Sequence, residues 1–169
     1  MCIRDRIQGC GHQHADRLTL VTYSQGELLA LEKATPYNES TTRVLGRLTP
    51  SHNTVTVDMT SSVMGHALTP EQTPVVAHFF PAQTVKFAQL HGDRLYAQCS
   101  VYRRAVAIVE DVIVDCFDVQ GGITHDWMLH HAGPAPVFSA EMAGGQFEPG
   151  DWLYNGTANI RRGAGDKLW

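Results

Sequence analysis

Two histidines one residue apart, His12 and His14, open the stretch "GHQHADRLTLVTYSQGELLALE", whose far end carries the carboxylate of Glu32. Imidazole is both a common metal ligand and a proton carrier near neutral pH, so a close pair of them invites a metal or acid–base reading. On a β-strand, residues i and i+2 share a face, which would set His12 and His14 side by side with Gln13 turned away. The plainer reading is two half-exposed polar side chains at a strand end. A hairpin through Gln25-Gly26 would return "ELLALE" beside the first strand and bring Glu32 back towards the histidines. His52, at the start of "HNTVTVDM", supplies another imidazole, and a His, Glu, His set with a fourth ligand from water is one that zinc accepts. Spacing alone leaves both readings open.

These side chains depend on strands for their placement. Period-two alternation recurs in "LTLVTYS" (18–24), "HNTVTVDM" (52–59), "QTVKFAQLHG" (83–92) and "RLYAQCSVYRRAVAIV" (94–109). Gln25-Gly26, Gly92-Asp93 and Glu110-Asp111 are short enough for hairpins, and Gln120-Gly121-Gly122 could close another between "DVIVDCFDV" and "THDWMLHH". No segment keeps a 3.6-residue period over a helix length. The expected class is all-β, an antiparallel β-sandwich. Residues 132–150, rich in Gly and Pro, read as loop.

A chain of 169 residues with 43% hydrophobic content suits one domain with a real core. Its formal charge of −4, without a basic block, argues against a nucleic-acid partner. No apolar run is long enough for a membrane span, and "MCIRDR" lacks the apolar centre of a signal peptide. Cys2, Cys10, Cys99 and Cys116 show no CxxC spacing, and the last two lie in apolar runs where a thiol packs as a small hydrophobe.

In combination, "GHQHAD", the hairpin ending in an acid, "SHNTVTVD" and "YRRAVAIVEDVIVDCFDVQGGITHDWMLHH" resemble the heparinase II/III-like polysaccharide lyases, which include oligoalginate lyases. The likeness runs from about Gly9 to His131. That family joins an N-terminal α/α toroid to a C-terminal antiparallel β-sandwich, and these motifs belong to the sandwich. The resemblance therefore implies the sandwich portion of a longer enzyme, residues 9–169, lacking the toroid, with residues 1–8 non-native or disordered. It implies β-elimination on a uronic-acid-containing polysaccharide or oligosaccharide, with His12 as the active-site histidine, either base or partner of the substrate carboxylate. It places a structural zinc on His14, Glu32 and His52, although the acid is more often Asp in the family. Tyr37 and Arg43 are candidates for the substrate side of the cleft. The toroid would supply the remaining catalytic groups, so this chain alone is expected to be inactive, and the intact enzyme would be periplasmic or secreted.

Other polar residues have competing readings. Asp16, two residues past His14, could accept a hydrogen bond from a histidine or pair with Arg17 or Arg43. Arg103 and Arg104 point to opposite faces of a strand, so at most one faces a given cleft, and one could be structural. His125, Asp126, Trp127 and His130 read as packing and hydrogen bonding that hold the sheet. Arg17, Arg43 and Arg47 are the cations best placed to draw in a polyanion. A cupin-like metal barrel is the first alternative, but it places its Glu about four residues after the second histidine, where this chain has Leu18. A noncatalytic carbohydrate-binding sandwich is the other, although Trp127, Trp152 and Trp169 form no platform by spacing.

Overall fold

A computed structural model describes residues 2–3, 14–30, 46–63 and 69–131. The architecture is an all-β antiparallel sandwich, in which the described residues form nine strands in three sheets. The largest is a meander of β5 (Val75–Pro81), β6 (Val85–His91), β7 (Cys99–Val109) and β8 (Val112–Gly121). A second sheet joins β1 (Cys2–Ile3), β2 (Leu20–Ser24) and β3 (Glu27–Ala30), and a third pairs β4 (Val55–Val57) with β9 (His125–Trp127). Among the described residues the only helical turns are two short 3-10 segments, Thr49–Ser51 and Pro70–Gln72.

The core forms where the inner face of the meander meets the smaller sheets. Alternation along β7 buries Tyr102, Arg104 and Val106 on one face. In register with them stand Leu90 and Ala88 of β6, and Val119 and Phe117 of β8. Leu18, Val55 and Val57 pack on this layer, and Leu95 and Tyr96 complete the cluster. Tyr102 is fully buried with its ring 5.2 Å from Tyr96 and 5.3 Å from Phe117, and its hydroxyl donates to the Val55 carbonyl at 2.6 Å. That bond satisfies the one polar atom an aromatic core residue brings with it.

Turn chemistry accounts for two of the expected hairpins. Gln25 and Gly26 both have positive φ, 50° and 85°, which matches the right-handed twist between β2 and β3. Glu110, at φ 53°, turns β7 directly into β8.

Two other expected turns differ: β6 and β7 still pair, but through a longer loop, and β8 and β9 do not pair at all. Gly92-Asp93 opens a wider connection over residues 92–98, because Leu95 and Tyr96 turn inward to be buried and the Asp93 carboxylate accepts the Tyr102 N–H at 2.9 Å. "RLYAQ" is accordingly turn, and β7 starts only at Cys99. Gln120-Gly121-Gly122 does not fold β9 back on β8 either. The Asp58 carboxylate accepts the N–H groups of Ile123 and Thr124 at 2.6 and 2.9 Å and draws the chain onto β4.

"HNTVTVDM" contributes only Val55–Val57 as strand, since residues 52–54 spend their polar groups on neighbouring loops and Asp58 and Met59 adopt positive φ. Cys99 is buried as expected, but Cys116 is exposed, because it lies opposite Ala105 on the outer face of the meander.

Gly121 offers a direct test of the rerouting. Its φ is 104°, and a Cβ there would lie 2.1 Å from the Gln98 carbonyl oxygen, whereas one at Gly26 would meet nothing within 4 Å. Gly121→Ala should therefore lower unfolding stability by about 1–3 kcal/mol through backbone displacement. Gly26→Ala should cost only its conformational strain, about 1 kcal/mol. Denaturant titration of the two variants checks the ordering.

Candidate functional site

His14 and His52 are brought together by irregular backbone rather than by a strand. Residues 14–19 precede β2, and Leu18 has φ 56°, so the alternation that would have aligned His14 with its neighbours does not hold there. Instead, the residue after His14 is bonded on both sides: the Ala15 N–H donates to the Arg47 carbonyl at 2.8 Å, and Thr49 Oγ1 donates to the Ala15 carbonyl at 3.0 Å. Thr49 begins the 3-10 turn, where Pro50 occupies an early position that needs no N–H donor. His52 closes that turn with its N–H donating to the Thr49 carbonyl at 3.0 Å. One threonine thus ties both histidine segments together. The imidazoles come to 5.5 Å between ring centroids with planes 45° apart, His52 buried and His14 half-buried.

Asn53 anchors the following residue. Its side-chain amide donates to the Leu20 carbonyl at 2.9 Å and its oxygen accepts the His130 N–H. Its carbonyl accepts from the Leu20 N–H at 3.1 Å and from Arg104 Nη1 at 2.6 Å. The same Nη1 donates to the Leu18 carbonyl at 2.6 Å, while Nε and Nη2 hold the two oxygens of Asp115. Arg104 has no solvent exposure and lies 5.0 Å over the Phe117 ring. Its neighbour Arg103 points the other way and grips Asp93 at 2.7 Å on the half-exposed face, which holds the Asp93 carboxyl below its usual range. Both arginines of the pair are committed to carboxylates within the domain.

The remaining expected residues divide clearly. His12, Glu32, Tyr37 and Arg43 lie outside the described residues. Among the described residues no group of three His, Cys, Asp or Glu side chains converges as a metal site. Asp16 is buried rather than presented on a strand face, and it faces Arg17 electrostatically. Arg17 is itself 2% exposed, and burial pulls its guanidinium below the ordinary value, so it belongs to the interior and not to a surface that attracts polyanions.

In "HDWMLHH", His125 Nε2 lies 2.8 Å from the Gly121 carbonyl, His130 Nε2 lies 2.9 Å from the Pro50 carbonyl, and Asp126 accepts from Thr56 at 3.3 Å. These contacts hold β9, the 3-10 turn and β4 together, as the sequence suggested. Trp127 departs from that reading: it is 53% exposed and, with Leu29, Leu129 and Ile113, lines a groove of about 430 Å³ that also includes Asp115 and His131. The hub formed by Arg104 and Asn53 was missed as such; an arginine on the buried parity of a strand was the available signal.

Asp126 gives this framework a pH dependence. Burial raises its carboxyl above the ordinary value, against the lowering effects of the Thr56 hydrogen bond and nearby His125. The folded state therefore holds this proton more tightly than the unfolded chain. The associated stability is fully present below the ordinary carboxylate pKa and is lost as pH rises through the raised folded value. Asp126→Asn, which keeps an acceptor for Thr56, should raise the unfolding midpoint relative to the parent at pH 7 and leave a smaller difference at pH 3. Denaturation curves at the two pH values check the sign.

The solved structure of heparinase III, the BT4657 gene product with methylated lysines, superposes with a TM-score of 0.66 at 19% identity. That match covers 81% of this chain and 21% of the other, so the chain spans about a fifth of the length of that relative and shares its fold. No curated protein matches the chain. A family model described as heparinase II/III-like, C-terminal, matches residues 6–148. With the sandwich and the histidine-bearing segments in place, that span assigns the chain to the heparinase II/III-like family, as its C-terminal domain.

Proposed function

We propose that this domain is the sandwich half of a polysaccharide lyase that cleaves uronic-acid-containing polymers by β-elimination. The observation that supports the reading best is the paired His14 and His52 imidazoles, set on irregular backbone within a heparinase II/III-like domain. In this reaction a base removes the C5 proton of a uronate, the C4–O bond breaks, and the departing glycosidic oxygen takes up a proton. The C5 proton is weakly acidic beside an ionised carboxylate, so the site must offset that charge as more develops in the transition state. His12 is assigned to this work, as base or as partner of the substrate carboxylate, and an imidazole with a near-neutral pKa suits either role. Tyr37 and Arg43 are assigned to substrate contact.

His14, Glu32 and His52 are assigned as ligands of a structural zinc. The described pair fits such an ion: two imidazoles bound at about 2.0–2.1 Å in a tetrahedral arrangement place their ring centroids about 5 Å apart, close to the 5.5 Å observed. Zinc, when bound, would tie the segment before β2, the end of the hairpin and the 3-10 turn into one unit behind the reacting groups. The substrate class is an acidic polysaccharide or oligosaccharide. Among the described residues no helix is long and apolar enough to cross a membrane.

The test uses two readouts on the 169-residue chain. Zinc should raise the melting temperature by binding linkage, and His14→Ala or His52→Ala should remove that increment. Elimination creates a C4–C5 double bond conjugated to the carboxylate, so ultraviolet absorbance reports turnover of alginate, hyaluronan or heparan-type substrates. The proton donor is placed on a toroid by the family resemblance, and losing even one preorganised donor costs about 10²–10³-fold. The expected outcome is zinc-dependent stabilisation without absorbance growth. Growth abolished by His12→Ala would instead show a self-contained site, and the absence of any zinc effect would remove the metal assignment.

A further inference from the structure

The two histidine-bearing segments share one buried donor. Arg104 Nη1 donates to the Leu18 carbonyl and to the Asn53 carbonyl, each at 2.6 Å. Leu18 belongs to the segment that carries His14, and Asn53 directly follows His52. A single nitrogen bonded to both oxygens limits how far those segments can separate. The other edge of the guanidinium is fixed bidentately to Asp115 of β8, so the donor cannot swing. Leu18, a non-glycine residue at φ 56°, aims its carbonyl at this nitrogen from the left-handed region that L-residues rarely adopt. The meander thereby sets the position of backbone that precedes β2 and β4.

We propose that Arg104, anchored by Asp115, is a positioning residue for the His14–His52 pair, fixing the separation of the two imidazoles through the Leu18 and Asn53 carbonyls. The proposal builds on the reading of these histidines as zinc ligands, and its test separates the two. A residue that orients ligands without touching the ion alters metal affinity by about 10–100-fold when changed. Lysine at this position keeps the charge but loses the planar fork that reaches Asp115 and both carbonyls together.

The experiment compares the parent with Arg104→Lys, Asp115→Asn and the control Arg103→Lys, which loosens the equivalent fork on Asp93 across the strand. Each is measured for unfolding midpoint, zinc affinity by calorimetry and, in the metal-free state, the ring-to-ring nuclear Overhauser effect between His14 and His52. Folded Arg104→Lys and Asp115→Asn should lose about 10–100-fold in zinc affinity and weaken the ring-to-ring effect, while Arg103→Lys changes neither.

Parental affinity and an unchanged ring-to-ring effect in the folded variants would overturn the proposal and leave Arg104 with stability alone. If Arg104→Lys fails to fold, Asp115→Asn decides by the same criteria, since it retains the arginine and weakens only its anchor. If the parent itself binds no zinc, the metal reading falls, and the ring-to-ring comparison still decides whether Arg104 positions the pair.

Discussion

A buried guanidinium joins the layers of this sandwich. Arg104 lies on the core face of β7, where an apolar side chain would ordinarily pack, and removing a cation from water costs several kcal/mol unless its donors are met. Here Asp115 supplies the countercharge, the Leu18 and Asn53 carbonyls take Nη1, and the Phe117 ring lies beneath the group. Each charge-assisted bond contributes about 1.5–3 kcal/mol. The arrangement solves a second problem as well. Residues 14–19 and 52–54 are not in strands, so their carbonyls have no ladder partners, and a buried carbonyl without a donor would be costly. An aliphatic residue at position 104 would fill the space but take from the Leu18 carbonyl its guanidinium donor and leave the Asn53 carbonyl with the Leu20 N–H.

The same requirement explains the unusual polarity of the interior between the sheets. Thr19, Thr49, Ser51, Asn53, Thr54 and Thr56 are all buried, and the side chains of Thr19, Thr49, Asn53 and Thr54 act as local substitutes for ladder hydrogen bonds. Thr49 receives the Ser62 N–H and donates to Ala15, Thr54 donates to the Arg17 carbonyl, and the Thr19 hydroxyl accepts the Asn53 N–H. Small β-branched and hydroxylated side chains suit this work, since each brings a donor and an acceptor at little entropic cost. A sheet would have satisfied the backbone automatically but would have spread His14 and His52 along regular strands. Irregular backbone brings the rings together, and the polar interior is what makes that backbone stable.

This division also governs what could be read from the sequence. The strands β2, β6, β7 and β8 were legible because one face of each alternates towards the core or a turn residue marks its end. Strand β5, "VVAHFFP", was not, because both its faces remain largely exposed and no burial imposes a period on it. The class and the tight hairpins at Gln25-Gly26 and Glu110-Asp111 rest on local chemistry and emerged as expected, whereas the other two expected turns did not. The pairing of β9 with β4 depends on the Asp58 carboxylate reaching across sixty-odd residues of chain to two N–H groups, and no local pattern encodes that.

The histidines show the same limit from the other side. Their types and order were informative, while the geometric argument first attached to them, shared strand faces, does not apply to His14 in the fold. The pair forms because Ala15, Thr49 and Asn53 hold two bends against each other, and because Arg104 joins both bends to the meander. Residue types therefore drew notice to these histidines, but the geometry of the His14–His52 pair is a property of the hydrogen-bonded loops. Sequence parity went only part of the way to that framework: two adjacent arginines on a strand divide between its faces, so at most one could face a given cleft and one could be structural, without saying which or what it holds. Burial without exposure, four donated bonds and a carboxylate partner make Arg104 the point where the regular part of the fold takes control of the irregular part.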